Sequence, residues 1–136
     1  MKKLLIITAF AFLSFLSFGQ SLEKGNLVGL HMLTIKLKPG VTIDQFKDFY
    51  ITKVIPEFEK HFAGSKGYMV KSIRGELNNT LGIIWLFPSE AARDKFFDKE
   101  EMSDAGKAAS AKTEPVLKEL EKLGTSSSKF VDWVVQ

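Results

Sequence analysis

One stretch constrains this chain more than any other: Leu81 to Phe97, LGIIWLFPSEAARDKFF. Apart from Gly82, its first seven residues are apolar. Pro88 and Ser89 follow, then an acidic, alanine-bearing segment that ends on Phe96 and Phe97. A short unbroken apolar run bounded by a turn signal reads as a strand buried on both faces. Ser89 is a favoured N-cap residue, so the strand turns a corner into a helix. A strand buried on both sides needs neighbours at each edge and cover above and below.

The N-terminus stands apart. Lys2 and Lys3 precede an apolar run from Leu4 to Phe18, and Ser17 and Gly19 place small residues at the −3 and −1 positions of a cut. This is the pattern of a secretory signal cleaved after Gly19. The run is shorter than the roughly 20 apolar residues that a membrane span needs. Export to the periplasm or beyond is therefore expected, with no membrane attachment after cleavage. Residues 20–26 read as a short linker, and 27–136 as one domain long enough for a real core. The formal charge of +3 includes Lys2 and Lys3, so the mature chain is close to neutral. No basic stripe interleaves with aromatics, so nucleic acid is not an expected partner. An exported chain without cysteine must draw its stability from packing, or from packing plus association.

Leu27 to Lys38 reads as the first strand, apolar on both parities in its middle and ended by Pro39-Gly40. Thr42 then caps a helix, with Gln45 as the matching third residue and Val41 placed to staple onto Phe46. Phe46, Phe49, Tyr50, Val54, Phe58 and Phe62 recur at helical spacing and give it one strongly apolar face. Pro56 should kink or restart the helix near Val54-Ile55, and Gly64 should stop it. Tyr68 to Arg74 reads as a more polar second strand, Leu77-Asn78-Asn79 as a turn, and Leu81 to Phe87 as the third strand. Asp98 to Ala111 is small and polar and contains Gly106, so a break is expected there. Thr113 then caps a last helical segment with Pro115 in its first turn, and Gly124 closes it. Ser126-Ser127-Ser128 reads as a turn, and Phe130 to Val135 as the fourth strand.

The order is β-α-β-β-α-β, the split βαβ or ferredoxin-like motif of the α+β class. It predicts a four-stranded antiparallel sheet in the order 4-1-3-2 with both helices on one face. The other face would then be bare. Its predicted row is Leu33, Ile35, Ile83, Trp85 and Phe87. Five such side chains left in water forgo roughly 8–15 kcal/mol of burial. That is comparable to the stability of a whole domain. A second copy of the chain is the expected cover, giving a homodimer closed into a barrel.

These features, and the corner IIWLFPSEAARDKFF with Trp85, Phe87, Ser89, Arg93 and Phe96, resemble the dimeric α+β barrel superfamily. That superfamily includes antibiotic-biosynthesis monooxygenases, haem-degrading monooxygenases, stress-responsive barrel proteins and NIPSNAP-type proteins. The resemblance implies a ligand cavity in each subunit between sheet and helices. The haem-degrading branch uses an Asn on the first strand, a Trp on the third and a His on the second helix. Here Trp85 or Phe87 can stand for the aromatic. The first strand has no Asn, and Ser89 to Leu123 has no His. No cofactor is expected.

His31 is the sharpest candidate for chemistry, as a general base or a ligand group. The plainer reading is a core or barrel histidine satisfied by a neighbouring side chain or backbone group. Trp85 and Phe87 are candidate pocket walls or plain core. Tyr50 and Tyr68 can supply phenols, or simply pack. Arg74 can hold an acidic group through its planar fork, or stay solvated. Glu57 and His61 have a metal-like spacing, but two ligands make no site, and no metal is expected. Glu90, Asp94 and Asp98 share a helix face near its start, where acids complement the dipole. Two roles follow. One is a small exported protein binding a lipophilic ligand. The other, implied by the resemblance together with His31, is cofactor-independent oxygenation of an aromatic or quinol-type substrate.

Overall fold

The computed structural model describes residues 21–98 and 101–136. The secretory signal expected at 1–19 lies outside them. Strand β1 (Leu27–Leu37) leads to helix α1 (Ile43–Phe49), a π-helical turn (Tyr50–Val54) and helix α2 (Ile55–His61). Strands β2 (Lys66–Lys71) and β3 (Leu81–Phe87) follow, then helices α3 (Glu90–Asp94) and α4 (Asp104–Glu121), then strand β4 (Gly124–Val134). The strands form one antiparallel sheet in the order β2-β3-β1-β4, with β1 and β3 central. This is the ferredoxin-like arrangement that the βαββαβ order predicts.

Local chemistry sets the helix ends. The Thr42 hydroxyl accepts from the Gln45 amide at 3.2 Å, and the Gln45 side chain accepts from the Thr42 amide at 2.8 Å, closing a capping box. Pro56 lacks an amide hydrogen and cannot continue a regular winding. The chain answers with the π-helical turn, in which the Ile55 amide reaches back to the Tyr50 carbonyl, and α2 restarts with Pro56 in its first turn. Ser89 caps α3 through a 3.1 Å bond from the Ala92 amide.

Three sequence expectations need correction. The first concerns the second helical region. No break extends to Ala111: α4 starts at Asp104, and Ser103, not Thr113, is its cap. Gly106 breaks nothing. It lets the first turn of α4 lie against the Phe96 carbonyl, where a Cβ would overlap the oxygen. Thr113 is fully buried inside the helix and donates to the Ser110 carbonyl at 2.8 Å, and Pro115 also lies inside. The second concerns Ser126 to Ser128, which do not turn. They belong to β4, which runs the whole length of β1 from Leu37↔Gly124 to Leu27↔Val134. A complete ladder outweighs the turn preference of serine.

The third correction concerns which face is bare. Leu27, Phe87, Phe62, Phe96 and Ala109 form one buried cluster, with Trp85 packed against it. Phe46, Val54 and Leu120 form another, with Ile35 and Leu37 against it. The parity of β1 that holds Leu27, His31, Leu33 and Ile35 therefore faces the helices. So do Ile83, Trp85 and Phe87, which pair across from that parity. The face without helices carries the opposite parity. Tyr68, Ile84, Leu30 and Val131 form one row across all four strands. Leu86, Val28 and Trp133 form the next. The bare face is apolar, as expected, but made of other residues.

Candidate functional site

A cavity of about 920 Å³ lies between the sheet and the helices. Its floor is the helix-facing parity of the sheet: Gly29 and His31 on β1, Trp85 and Phe87 on β3, Phe130 and Asp132 on β4. Tyr50, Phe58 and Phe62 line it from the helical side. The rings form a connected wall. Phe58 meets Trp85 at 5.6 Å and stacks on Phe62 at 5.3 Å, and Phe62 stacks on Phe97 at 5.6 Å. The Trp85 ring lies over its cross-strand partner Gly67, where a Cβ would come within 2.6 Å of it. Gly67 leaves the space that the indole fills.

The polar part of the site is compact. Asp132 lies across Gly29, where a Cβ would stand 2.9 Å from its Oδ1 and 3.7 Å from His31 Nε2. Arg93 on α3 donates to Asp132 and, through Nε, to Asp94 at 2.6 Å. The exposed Phe130 ring stacks on the imidazole of His31 at 5.2 Å. Burial pushes His31 below the ordinary histidine range, and the nearby Asp132 carboxylate offsets this only in part. His31 is therefore neutral at pH 7 and able to accept a proton. Burial pushes the Tyr50 phenol up to about 12, so it stays protonated. Ser65 also lines the cavity. It is 3% exposed, and its hydroxyl has no hydrogen-bond partner among the described residues.

The candidate base His31 and the candidate pocket residues Trp85, Phe87 and Tyr50 meet at this cavity, and Glu90, Asp94 and Asp98, read from sequence as partners of the helix dipole, line it too. Tyr68 and Arg74 do not. Tyr68 points to the bare face, because it pairs with Ile84 and not with a member of the Trp85 parity. Arg74 lies past the end of β2, which stops at Lys71, and is exposed in the hairpin connection. Glu57 and His61 bond each other at 3.1 Å. No three His, Cys, Asp or Glu side chains are grouped to hold a metal among the described residues. Sequence reasoning missed Asp132, Ser65 and the pairing role of Arg93. Asp132 left one signal, a lone acid within the apolar strand FVDWVV. Ser65 left none.

Sheet order, helix placement and this cavity define a ferredoxin-like α+β protein with a ligand-sized space on its helical side. A NIPSNAP family protein of unknown function from Agrobacterium tumefaciens shares that fold, with 16% identity, a TM-score of 0.50, and 82% of this chain and 91% of the other covered. SnoaB, a cofactor-independent oxygenase from Streptomyces nogalater, aligns at 14% identity with a TM-score of 0.44, covering 82% of this chain and 94% of its own. A point variant of SnoaB aligns at 14% and 0.45, covering 79% and 91%. The likeness to these proteins is one of fold. No protein-family model and no curated protein matches the sequence.

Proposed function

We propose that this chain is an exported small-molecule binding protein that pairs with a second copy and holds a lipophilic, largely planar molecule between its sheet and helices. The cavity carries the reading. Its volume of about 920 Å³ lies in the range of ligand pockets, and rings from α2, β3 and β4 line it. Its inner wall is built mainly of rings, which suits a ligand body recognised by shape and stacking.

Trp85 supplies the test. The chain has two tryptophans, and Trp133 lies on the opposite face of the sheet. In a Trp133→Phe variant, 1-pyrenebutanol should quench Trp85 emission by energy transfer, saturating at one probe per chain. No quenching at micromolar probe would remove the cavity from the reading. Intact mass of protein from its own host should begin at Gln20. A chain still starting at Met1 would remove export.

The bare sheet face supports the second copy. Its rows Tyr68-Ile84-Leu30-Val131 and Leu86-Val28-Trp133 form a contiguous apolar patch. Trp133 and Tyr68 are 62% and 46% exposed. A patch of this kind on a single chain marks an association surface.

His31 favours a second reading, oxygenation without a cofactor. There a base takes a proton from a quinol-type substrate, and the resulting anion reacts with dioxygen itself. A neutral imidazole in the cavity can be that base. Oxygen uptake with a panel of quinols should then fall on His31→Ala. Because His31 is shifted down, the rate should hold at neutral pH and drop only below 6.5, as the imidazole gains its proton. An unchanged rate in the variant would take His31 out of the mechanism.

A further inference from the structure

The aromatic wall does not account for the charge around the cavity. Glu90, Asp94, Glu101 and Asp132 line it, and among the described residues Arg93 is the cation that lines it with them. Arg93 is already engaged by Asp94 and Asp132. Glu90, Asp94 and Glu101 are exposed, so they form the mouth, and the rings lie behind them. Acids beside a low-dielectric wall focus a negative potential into the opening. Aromatic faces add their own attraction for cations. A second observation is independent of the acids. Ser65 is almost wholly buried, lines the same cavity and has a hydroxyl with no protein partner among the described residues. A group in that state is satisfied by a polar atom brought in from outside.

We propose that the cavity is selective for a lipophilic organic cation: a planar or aliphatic body that lies on the Phe58, Phe62 and Trp85 rings, and an ammonium-type group held among the acids of the mouth. Ser65 gives the body one hydrogen bond. This inference rests on the binding reading above and adds the charge of the ligand. A neutral lipophile enters for its apolar area alone. An anion meets the acidic mouth and is disfavoured.

Three pyrene probes of similar size separate charge from shape: 1-pyrenebutyltrimethylammonium, 1-pyrenebutanol and 1-pyrenebutyrate. Binding is read as quenching of Trp85 in the Trp133→Phe chain, so only probes near the cavity count. The cation should bind about tenfold more tightly than the alcohol, and the anion more weakly than both. Raising salt from roughly 0.02 M to 0.5 M should shrink the cation-to-alcohol ratio severalfold, since exposed acids are screened. The double variant Glu90→Gln, Glu101→Gln should bring the ratio to about twofold or less at low salt. A ratio of one or below, with the alcohol still binding, overturns the charge inference and leaves the lipophilic pocket standing. A high ratio that survives both salt and the double variant also overturns it. If no probe binds, the pocket reading itself has failed, and the inference with it.

Discussion

Gly106→Ala should cost about 3–4 kcal/mol and lower the melting temperature by roughly 10–20 °C, the largest loss expected from adding a single methyl group to this chain. Its size follows from what the methyl would meet. A Cβ at Gly106 overlaps the Phe96 carbonyl oxygen and lies 2.9 Å from the carbonyl carbon. These are backbone atoms, which cannot rotate away as a side chain can. Phe96 is itself buried and packs edge-on against Phe62, so moving it disturbs the aromatic cluster. An alanine in an ordinary helix interior would instead stabilise by about 1 kcal/mol relative to glycine. The sign of the change thus separates a close-approach glycine from a helix breaker. Thermal unfolding of the variant is the check, and a melting point equal to or above the parent would show that α4 does not press on Phe96.

On the proposed pairing, Leu30→Lys should turn the dimer into a folded monomer. Leu30 sits between Ile84 and Val131 in the row that crosses the whole bare face. In a two-fold dimer each substitution acts twice, once from either copy. Two ammonium groups would then be forced into an apolar interface without partners, which weakens association by roughly a hundredfold or more. The helical side should not notice, because Leu30 points away from it, so circular dichroism should stay unchanged. Sedimentation at micromolar concentration reads the outcome. A parent chain that sediments as a compact monomer would sink the pairing proposal outright.

The sequence carried the fold well because its signals were redundant. Thr42 with Gln45, Pro56 and Ser89 each name a helix boundary by a mechanism that needs no neighbours, and each boundary lies where they put it. Errors arose where a residue answers to something distant. Gly106 looks like a breaker until Phe96 is beside it, and Ser126 to Ser128 look like a turn until β1 offers them a ladder. The mistaken bare face is more instructive. In the middle of β1 both parities are apolar, so the middle cannot decide. The far end does: Ile35 and Leu37 stay apolar while Thr34 and Lys36 do not. The parity that stays apolar longer is the one lying over the Phe46 and Leu120 cluster. For the cavity, ring-bearing positions were legible because helical and strand periodicity list them. Asp132, Arg93 and Ser65 were not, because their meeting depends on three chain segments far apart in sequence.

The π-helical turn acts as a phase shifter. Phe46 and Phe58 are twelve positions apart, and in an unbroken α-helix they would point roughly 120° away from one another. Accommodating one surplus residue between Tyr50 and Val54 reduces that to roughly 20°. Both rings then meet the Val54 and Leu120 cluster, and Phe58 still reaches Trp85. A lineage that lost one residue from this turn would keep its helix and its hydrophobic content. It would lose the alignment, and the molecule would trade its hollow for a surface.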